Sequence, residues 1–270
     1  MDIAFDLAHE RTRAALDANY LAYSGAMMGS SKHGEYCERQ DVALICCGAA
    51  LAQFNVAHLK PPFSNPGAAL EYAEDFFGRK RFPFSVEMRH QESPEYFAAR
   101  ERLVSSGYDL VGVPVPGMAL APILESRPLP KGLTVERVGD ADSLDRFARV
   151  ASVGFGFPEE AGVQMLTPAF LNRPEVQAFL GKLDGEVVAT SQLLVSGAIA
   201  GIYWVSTLAS ARRRGFGEAI TWAAVASGRR AGCTIASLQA SAMGRPVYAR
   251  MGFAHVIDYE RYERSSSSAA

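Results

Sequence analysis

Residues 205–223 of this 270-residue chain read VSTLASARRRGFGEAITWA. The apolar residues on one side predict a β-strand, Ile202–Leu208, and the spacing on the other side predicts a helix, Glu218–Ala231. The first N–H groups of such a helix have no partner within it, and the helix dipole adds partial positive charge there. The stretch therefore predicts a site for an anion such as phosphate or pyrophosphate.

The loop between this strand and this helix strengthens that prediction. Three arginines supply charge and donors, and two glycines let oxygen atoms approach the backbone closely because they have no Cβ. The loop is neither a G-K-[ST] phosphate loop nor a complete dinucleotide fingerprint, and an ordinary solvated basic turn is the alternative. The candidate binding residues are Arg212, Arg213, Arg214, Gly215, Phe216 and Gly217.

The surrounding sequence predicts alternating strands and helices. Asp184–Gly185 is a favoured hairpin turn between the strands Val176–Leu183 and Val187–Val195. Asp140 is an N-cap for a helix over Ala141–Val153, and the loop Gly154–Gly162 follows it. Three further strands are predicted over Leu133–Val138, Thr234–Gln239 and His255–Glu263. One helix begins at Pro168, after Thr167, and a short helix covers Pro246–Met251.

A proline-rich segment, Pro114–Gly132, precedes this part. Proline fixes φ and lacks an N–H donor, so the segment predicts an extended connector. We therefore expect an N-terminal α/β domain over residues 1–125, a second domain over 126–264 and a disordered tail over 265–270.

The two parts share an order of elements. Ser105–Val113 (SSGYDLVGV) and Ala249–Ile257 (ARMGFAHVI) both predict a helix, a glycine, an aromatic residue and a strand. This indicates an internal repeat, although helix–Gly–strand turns are common in α/β proteins. After the first part's candidate strand Phe54–Leu59, the loop KPPFSNPG is poor in N–H donors because three of its residues are prolines.

Composition excludes several classes of function. Lys plus Arg total 27 and Asp plus Glu total 29, so the net charge is −2. A net charge this close to zero gives no overall electrostatic attraction to nucleic acid or to an anionic membrane. The four cysteines form no C-x-x-C pair, which favours reduced thiols in the cytoplasm over disulfides or a metal site. The uncharged stretch Val187–Ala211 could span a bilayer, but its polar residues and its glycines favour a hairpin of two strands.

The segment Arg212-x-x-Gly215-x-Gly217, between a strand and a helix, resembles the coenzyme A pyrophosphate loop of the GNAT superfamily, the GCN5-related N-acetyltransferases, whose signature is [RQ]-x-x-G-x-[GA]. Gly244–Phe253 (GRPVYARMGF) resembles that family's closing helix, which carries a tyrosine and ends in Gly-Phe. The resemblance covers about residues 133–263. It implies an α/β (α+β) fold with a mixed, mainly antiparallel sheet flanked by helices, and the first part would be a degenerate copy in tandem.

The resemblance implies acetyl-CoA as co-substrate, an amine as acceptor and no metal. The loop would hold the pyrophosphate, and the strand Tyr203–Leu208 would lie beside the pantetheine arm and splay from Thr234–Gln239. Ser241 would bond the coenzyme or cap the next turn. Beyond the loop, the residues implied to contact the coenzyme are Val205, Ser206, Thr207 and Ser241.

Catalytic roles also follow from the resemblance. Tyr248 would protonate the departing thiolate or hydrogen-bond the sulfur, with core packing as the alternative. Some family members carry a Glu on the strand before the loop, where this chain has Ser206 and Thr207. Glu159 and Glu160, in the loop after the first helix, are candidates to bind the amine or activate water, and a solvated surface role is the alternative.

We therefore expect an N-acetyltransferase that moves acetyl from acetyl-CoA to a primary amine of a small molecule or protein, by direct attack in a ternary complex. The alternative is a non-catalytic acyl-CoA-binding sensor or interaction module. The missing carboxylate on the strand is the observation that favours this alternative. Release of free thiol with a panel of amines separates the two.

Overall fold

The structure, a computed structural model, describes residues 7, 9–123 and 127–265. These residues form eight helices and twelve strands. The helices are α1 (Glu10–Ser30), α2 (Pro66–Lys80), α3 (Pro94–Ser105), α4 (Ala141–Phe155), α5 (Glu159–Met165), α6 (Pro168–Leu171), α7 (Phe216–Arg230) and α8 (Arg245–Met251). The strands are β1 (Glu35–Glu38), β2 (Val42–Cys46), β3 (Val56–Leu59), β4 (Ser85–Arg89), β5 (Tyr108–Leu110), β6 (Val115–Leu120), β7 (Leu133–Arg137), β8 (Val176–Leu183), β9 (Glu186–Ser196), β10 (Ile199–Thr207), β11 (Ile235–Gln239) and β12 (Ala254–Arg264).

The chain folds into two compact units that interleave along the sequence. The first comprises residues 1–32 and 117–256, and the second comprises residues 33–116 and 257–270. Helix α1 therefore belongs with elements that follow it by more than a hundred residues. No single cut in the chain separates these two units. The domain boundary expected after residue 125 stays a prediction.

The sheet of the first unit runs in the order β6-β11-β10-β9-β8-β7. All of these pairs are antiparallel except β10–β11, which is parallel. The hairpin between β8 and β9 turns at Asp184 and Gly185, both with positive φ, as the Asp-Gly pair predicts. The expected mixed, mainly antiparallel sheet is confirmed.

Helices cover both faces of this sheet. Successive strand residues point to opposite faces. On β9, the Ser191 hydroxyl donates to the carbonyl of Ile220 in α7, while Gln192 accepts from Tyr23 in α1. Helix α7 therefore lies on one face and α1 on the other. The core on the α7 side includes Leu193, Ala200, Ile202, Phe216, Ile220 and Trp222.

The second unit repeats part of this order. Its sheet runs β1-β2-β3-β4-β12, with β5 also paired to β12. The sequence β3–α2–β4–α3 has a parallel strand pair, like β10–α7–β11–α8 in the first unit. Helix α2 is capped by the side chain of Asn65 and begins with a proline, so its first turn offers an anion fewer N–H groups than that of α7.

Several elements differ from the sequence prediction. Strand β6 lies inside the segment that was predicted to be an extended connector. The segment can form a strand because Pro116 lies near its start and the residues after the proline pair with β11. The strand predicted at the end of Ser105–Val113 is shorter than expected, since β5 ends at Leu110 and Gly112 has a positive φ. The predicted loop Gly154–Gly162 is shorter than expected, because α4 continues to Phe155 and α5 begins at Glu159. None of the predicted strands corresponds to β1 or β2.

The uncharged stretch forms β9 and β10, joined by a turn at Gly197, so the hairpin prediction is confirmed. Within the described ranges, none of the helices combines the length and the apolar character that crossing a bilayer requires.

Candidate functional site

Strand β10 leaves its neighbours near its carboxyl end. Its pairing with β11 ends at Gly201, although the strand continues to Thr207. On its other edge, Trp204 and Val205 lie opposite the single residue Ser191 of β9, which makes a bulge. A bulge bends a strand and increases its twist. The expected splay of β10 from β11 is confirmed.

The bulge residue Trp204 has an unusual backbone conformation that its neighbours hold in place. Its φ is 47°, a value that large L-residues rarely adopt. The Thr190 hydroxyl donates to its carbonyl at 2.9 Å, and its indole N–H donates to the phenol of Tyr23. The Tyr23 hydroxyl in turn donates to Gln192 Oε1 at 2.7 Å. These bonds fix the bulge from the α1 face of the sheet.

The loop after β10 leads into a helix start that no side chain caps. Gly215 is the N-cap residue of α7 with φ 79°, and within the described part of the chain no side-chain hydrogen bond caps this helix. A Cβ on Gly217 would lie 3.2 Å from Thr207 Oγ1, so the helix begins against the end of β10. The first turn of α7 can therefore bind an anion through its backbone.

The three arginines of the loop have different surroundings. Arg212 Nε donates to the carbonyl of Thr207 at 3.1 Å, and Arg212 Nη2 donates to that of Gly154 at 3.5 Å. Arg213 and Arg214 are exposed, and the Arg214 guanidinium lies 4.7 Å from the centroid of the buried Phe216 ring. Arg212 therefore positions the loop against β10 and the end of α4, while its two neighbours face solvent.

Tyr248, on α8, is buried in the first unit's core. Its side chain packs with Phe253, whose ring centroid is 6.0 Å away. Burial raises the pKa of the phenol to about 12, and a hydrogen bond with Thr221 of α7 opposes that rise in part. The phenol is therefore protonated at neutral pH and can act as a hydrogen-bond donor.

The two predicted serines have local partners. Ser206 Oγ lies 2.8 Å from Thr190 Oγ1 and 3.4 Å from the carbonyl oxygen of Val150 in α4. The Ser241 hydroxyl accepts from the N–H of Gly244 at 3.1 Å, which is the alternative that the sequence left open, a cap for the turn before α8.

The remaining predicted site residues are Val205, Thr207 and the two glutamates. Val205 lies in the bulge, packs at the margin of the core and is half-buried, and Thr207 approaches Gly217 as described above. Glu159 Oε2 lies 3.3 Å from Arg149 Nη1, and both side chains are about half-exposed. The side chain of Glu160 lies outside the described part of the structure.

The aromatic residues around the bulge were not among the predicted site residues. The Phe155 and Trp204 rings meet edge to face at 5.5 Å, and Phe157 lies 6.3 Å from Phe155. The signal was present in GFGFP, where two phenylalanines alternate with glycine, but only contact across elements shows that they reach β10. Among the described residues, no group of three or more His, Cys, Asp or Glu is placed to hold a metal ion.

Comparisons with known proteins find similarity to GNAT acetyltransferases. Residues 145–253 match the model of the acetyltransferase (GNAT) family. A GCN5-related N-acetyltransferase from Kribbella flavida is 21% identical, with a TM-score of 0.71 over 93% of this chain and 96% of that one. A tandem GNAT protein from the clavulanic acid biosynthesis pathway is 10% identical, with a TM-score of 0.61 over 94% of this chain and 97% of that one. No curated protein is similar enough to count as a match.

Proposed function

We propose that this protein is an N-acetyltransferase, because residues 145–253 match the model of the acetyltransferase (GNAT) family. It transfers the acetyl group of acetyl-CoA to a primary amine of a small molecule or protein. It does so by direct attack, with both substrates bound together. The proposal includes a cytoplasmic location and no role for a metal or for nucleic acid.

One juxtaposition carries this proposal: an uncapped helix start directly beside a strand that has left its neighbour. The first turn of α7 offers backbone N–H groups, and Gly217 keeps that turn free of a side chain. Arg213 and Arg214 add exposed positive charge. A pyrophosphate fits the helix start, and an extended amide-containing arm fits the unpaired edge of β10.

Each residue has a definable task in the reaction. Acetyl-CoA supplies an activated thioester. The backbone of Val205 and Thr207 orients the arm along β10, and Arg212 holds the loop in register with that strand. Tyr248 donates a hydrogen bond to the sulfur. Its pKa of about 12 lies well above the ~8.5 of a free thiol, so full proton transfer to the thiolate is unfavourable.

The acceptor amine must lose a proton as it attacks. Ser206 bonds to Thr190 and Glu159 is paired with Arg149, so we assign neither side chain as the direct proton acceptor. A water molecule at the solvent-facing side of the bulge is the proton acceptor we propose.

Calorimetric titration with acetyl-CoA tests the binding half of the proposal. We expect the wild type to bind and Gly217→Trp to weaken binding at least tenfold, because the new side chain fills the start of α7. Gly139→Trp is the matched control, since nothing lies within 4 Å of that glycine's Cβ position. Equal affinity in wild type and Gly217→Trp, or no binding in wild type, would reject the proposal.

A non-catalytic acyl-CoA sensor is the second candidate. It is favoured by one observation: the β10 residues at the bulge, Trp204 to Thr207, include no carboxylate. Release of free thiol with any amine in a panel rejects the sensor. Tight binding of acetyl-CoA without thiol release across the panel supports it.

A further inference from the structure

Three aromatic side chains outside the hydrophobic core form a continuous wall beside the bulge. Phe155 ends α4, Phe157 follows it, and Trp204 lies in the bulge of β10. The Phe155 and Phe157 rings are nearly parallel, at 8°, while Phe155 and Trp204 are nearly perpendicular, at 79°. Phe155 is 46% exposed, so this wall presents a large apolar side chain to solvent. We call Phe155, Phe157 and Trp204 the aromatic wall.

The aromatic wall is tied to the proposed site of acyl transfer. Arg212 of the loop donates to the carbonyl of Gly154, the residue before Phe155. A Cβ at Gly154 would lie 2.5 Å from the Cβ of Ser206, so the end of α4 touches β10 just past the bulge. The wall therefore stands at the point where β10 has left β11 and where the acceptor must approach.

Within the aromatic wall, Trp204 is held in one conformation by its neighbours. Trp204 keeps a φ of 47°, and such strain persists only where the surroundings enforce it. The enforcing contacts are the bond from Thr190 to its carbonyl and the bond from its indole to Tyr23. Tyr23 is itself stacked on Tyr203 with ring centroids 3.7 Å apart. A preorganised aromatic surface is suited to recognise a ligand rather than merely to cover a core.

The charges around the wall do not favour a polycation. The neighbouring guanidinium of Arg212 is positive, and the carboxylate of Glu159 is paired with Arg149. Aromatic faces attract a single ammonium group through the ring quadrupole and attract another ring through stacking or edge contacts. The combination suits a ligand with one amine and one aromatic ring.

We propose that the aromatic wall selects arylalkyl amines as acceptors, an inference that rests on the proposed acetyltransferase activity. The ring of the substrate packs against Phe155 and Trp204, and its short alkyl chain carries the amine toward the thioester. The amine nitrogen forms a bond to the acetyl carbon as the carbon–sulfur bond breaks. The amine loses one proton to water and the departing sulfur gains one, which leaves an N-acetyl arylalkyl amine and free CoA.

The test is steady-state kinetics of thiol release with two amines, 2-phenylethylamine and spermidine, at saturating acetyl-CoA. We expect wild type to prefer 2-phenylethylamine in kcat/KM. Phe155→Ala and Phe155→Leu should each lower that kcat/KM by about tenfold, roughly the size of one aromatic contact, and leave the affinity for acetyl-CoA unchanged. Phe155→Leu keeps an apolar side chain, and an unchanged affinity for acetyl-CoA shows that a variant is folded.

Val153→Ala is the matched control. Val153 lies two residues earlier on α4 and is 44% exposed, but residues two apart on a helix face different directions. It should leave kcat/KM for 2-phenylethylamine unchanged. A preference for spermidine, or Phe155 variants equal to wild type, overturns the aromatic selection while the acetyltransferase proposal stands. Thiol release with neither amine in a protein that binds acetyl-CoA overturns the selection too, and absence of acetyl-CoA binding overturns the proposed function itself.

Discussion

Burial raises the pKa of Tyr248, so its phenol stays protonated far above neutral pH. Because its pKa is about 12, its donor hydrogen is present throughout the range in which an amine becomes deprotonated. We expect Tyr248→Phe to lower kcat about tenfold with little change in the KM for acetyl-CoA, as the loss of one hydrogen bond to a charged sulfur implies. The kcat of wild type should not fall through tyrosine ionisation between pH 7 and 10. A decline centred near pH 10 that Tyr248→Phe abolishes would contradict this assignment.

The same shift has a consequence for stability. An unfolded tyrosine loses its proton near pH 10, whereas folded Tyr248 keeps it to about 12. Deprotonation therefore favours the unfolded state as the pH rises through this interval. Between pH 8 and 11, the free energy of unfolding of wild type should fall by about 1 kcal/mol more than that of Tyr248→Phe. Urea denaturation at the two pH values measures the difference, and the other tyrosines cancel because both proteins contain them. Equal falls would mean that Tyr248 is not buried as described.

Residue roles were predictable from sequence where the backbone sets them. Gly215 directly precedes α7, which agrees with the predicted passage from loop to helix. The guanidinium of Arg212 donates to two carbonyls, and its expected contact with an anion stays a prediction. Ser241 caps a turn. Side-chain direction depends on partners distant in sequence, such as Gly154, which no local pattern encodes.

Strand β10 has one more residue than β9 at the bulge, and this extra residue bends β10 at the proposed site. Deleting Val205 would give β10 and β9 equal numbers of residues across the bulge and remove the cause of the bend. We expect this deletion to keep the circular dichroism of the folded protein and to weaken acetyl-CoA binding at least tenfold.

A matched deletion provides the control. Removing Ala198, in the turn between β9 and β10, shortens the same hairpin away from the site. It should change stability but leave the affinity for acetyl-CoA within about twofold of wild type. Unaltered binding after deletion of Val205, in a protein that still folds, would show that the bulge is not needed for the site.

Element prediction succeeded where a local signal is strong. The Asp140 side chain accepts from the N–H of Ser143 and begins α4, and Thr167 begins α6 in the same manner. It failed where tertiary pairing decides. β6 is short and contains a proline and a glycine, so only its partner β11 makes it a strand. The bulge escaped prediction for the same reason, because a two-against-one register exists only between two strands.

At the scale of the whole molecule, the first unit draws on segments from separate parts of the chain. It includes α1 and residues 117–120 of β6, both of which precede the expected boundary at residue 125. The second unit includes residues 257–264 of β12, which pair with β4 and β5. The sequence indicated two similar parts and placed the family-like segment correctly, but a linear cut could not reveal this interleaving.

The interleaving predicts that a chain of residues 126–264 does not fold stably by itself. It would lack the buried side chains Met118 and Leu120, which are each 3% exposed, and it would leave the edge of β11 unpaired. It would also lose α1, whose Tyr23 contacts Gln192 and Trp204. We expect no cooperative thermal transition and no acetyl-CoA binding from this fragment, whereas a chain ending at Ser265 should match the full protein in both measurements. A fragment of residues 126–264 that unfolds cooperatively and binds acetyl-CoA with the full chain's affinity would show instead that α1 and β6 are dispensable, and the unit would then be a self-sufficient domain.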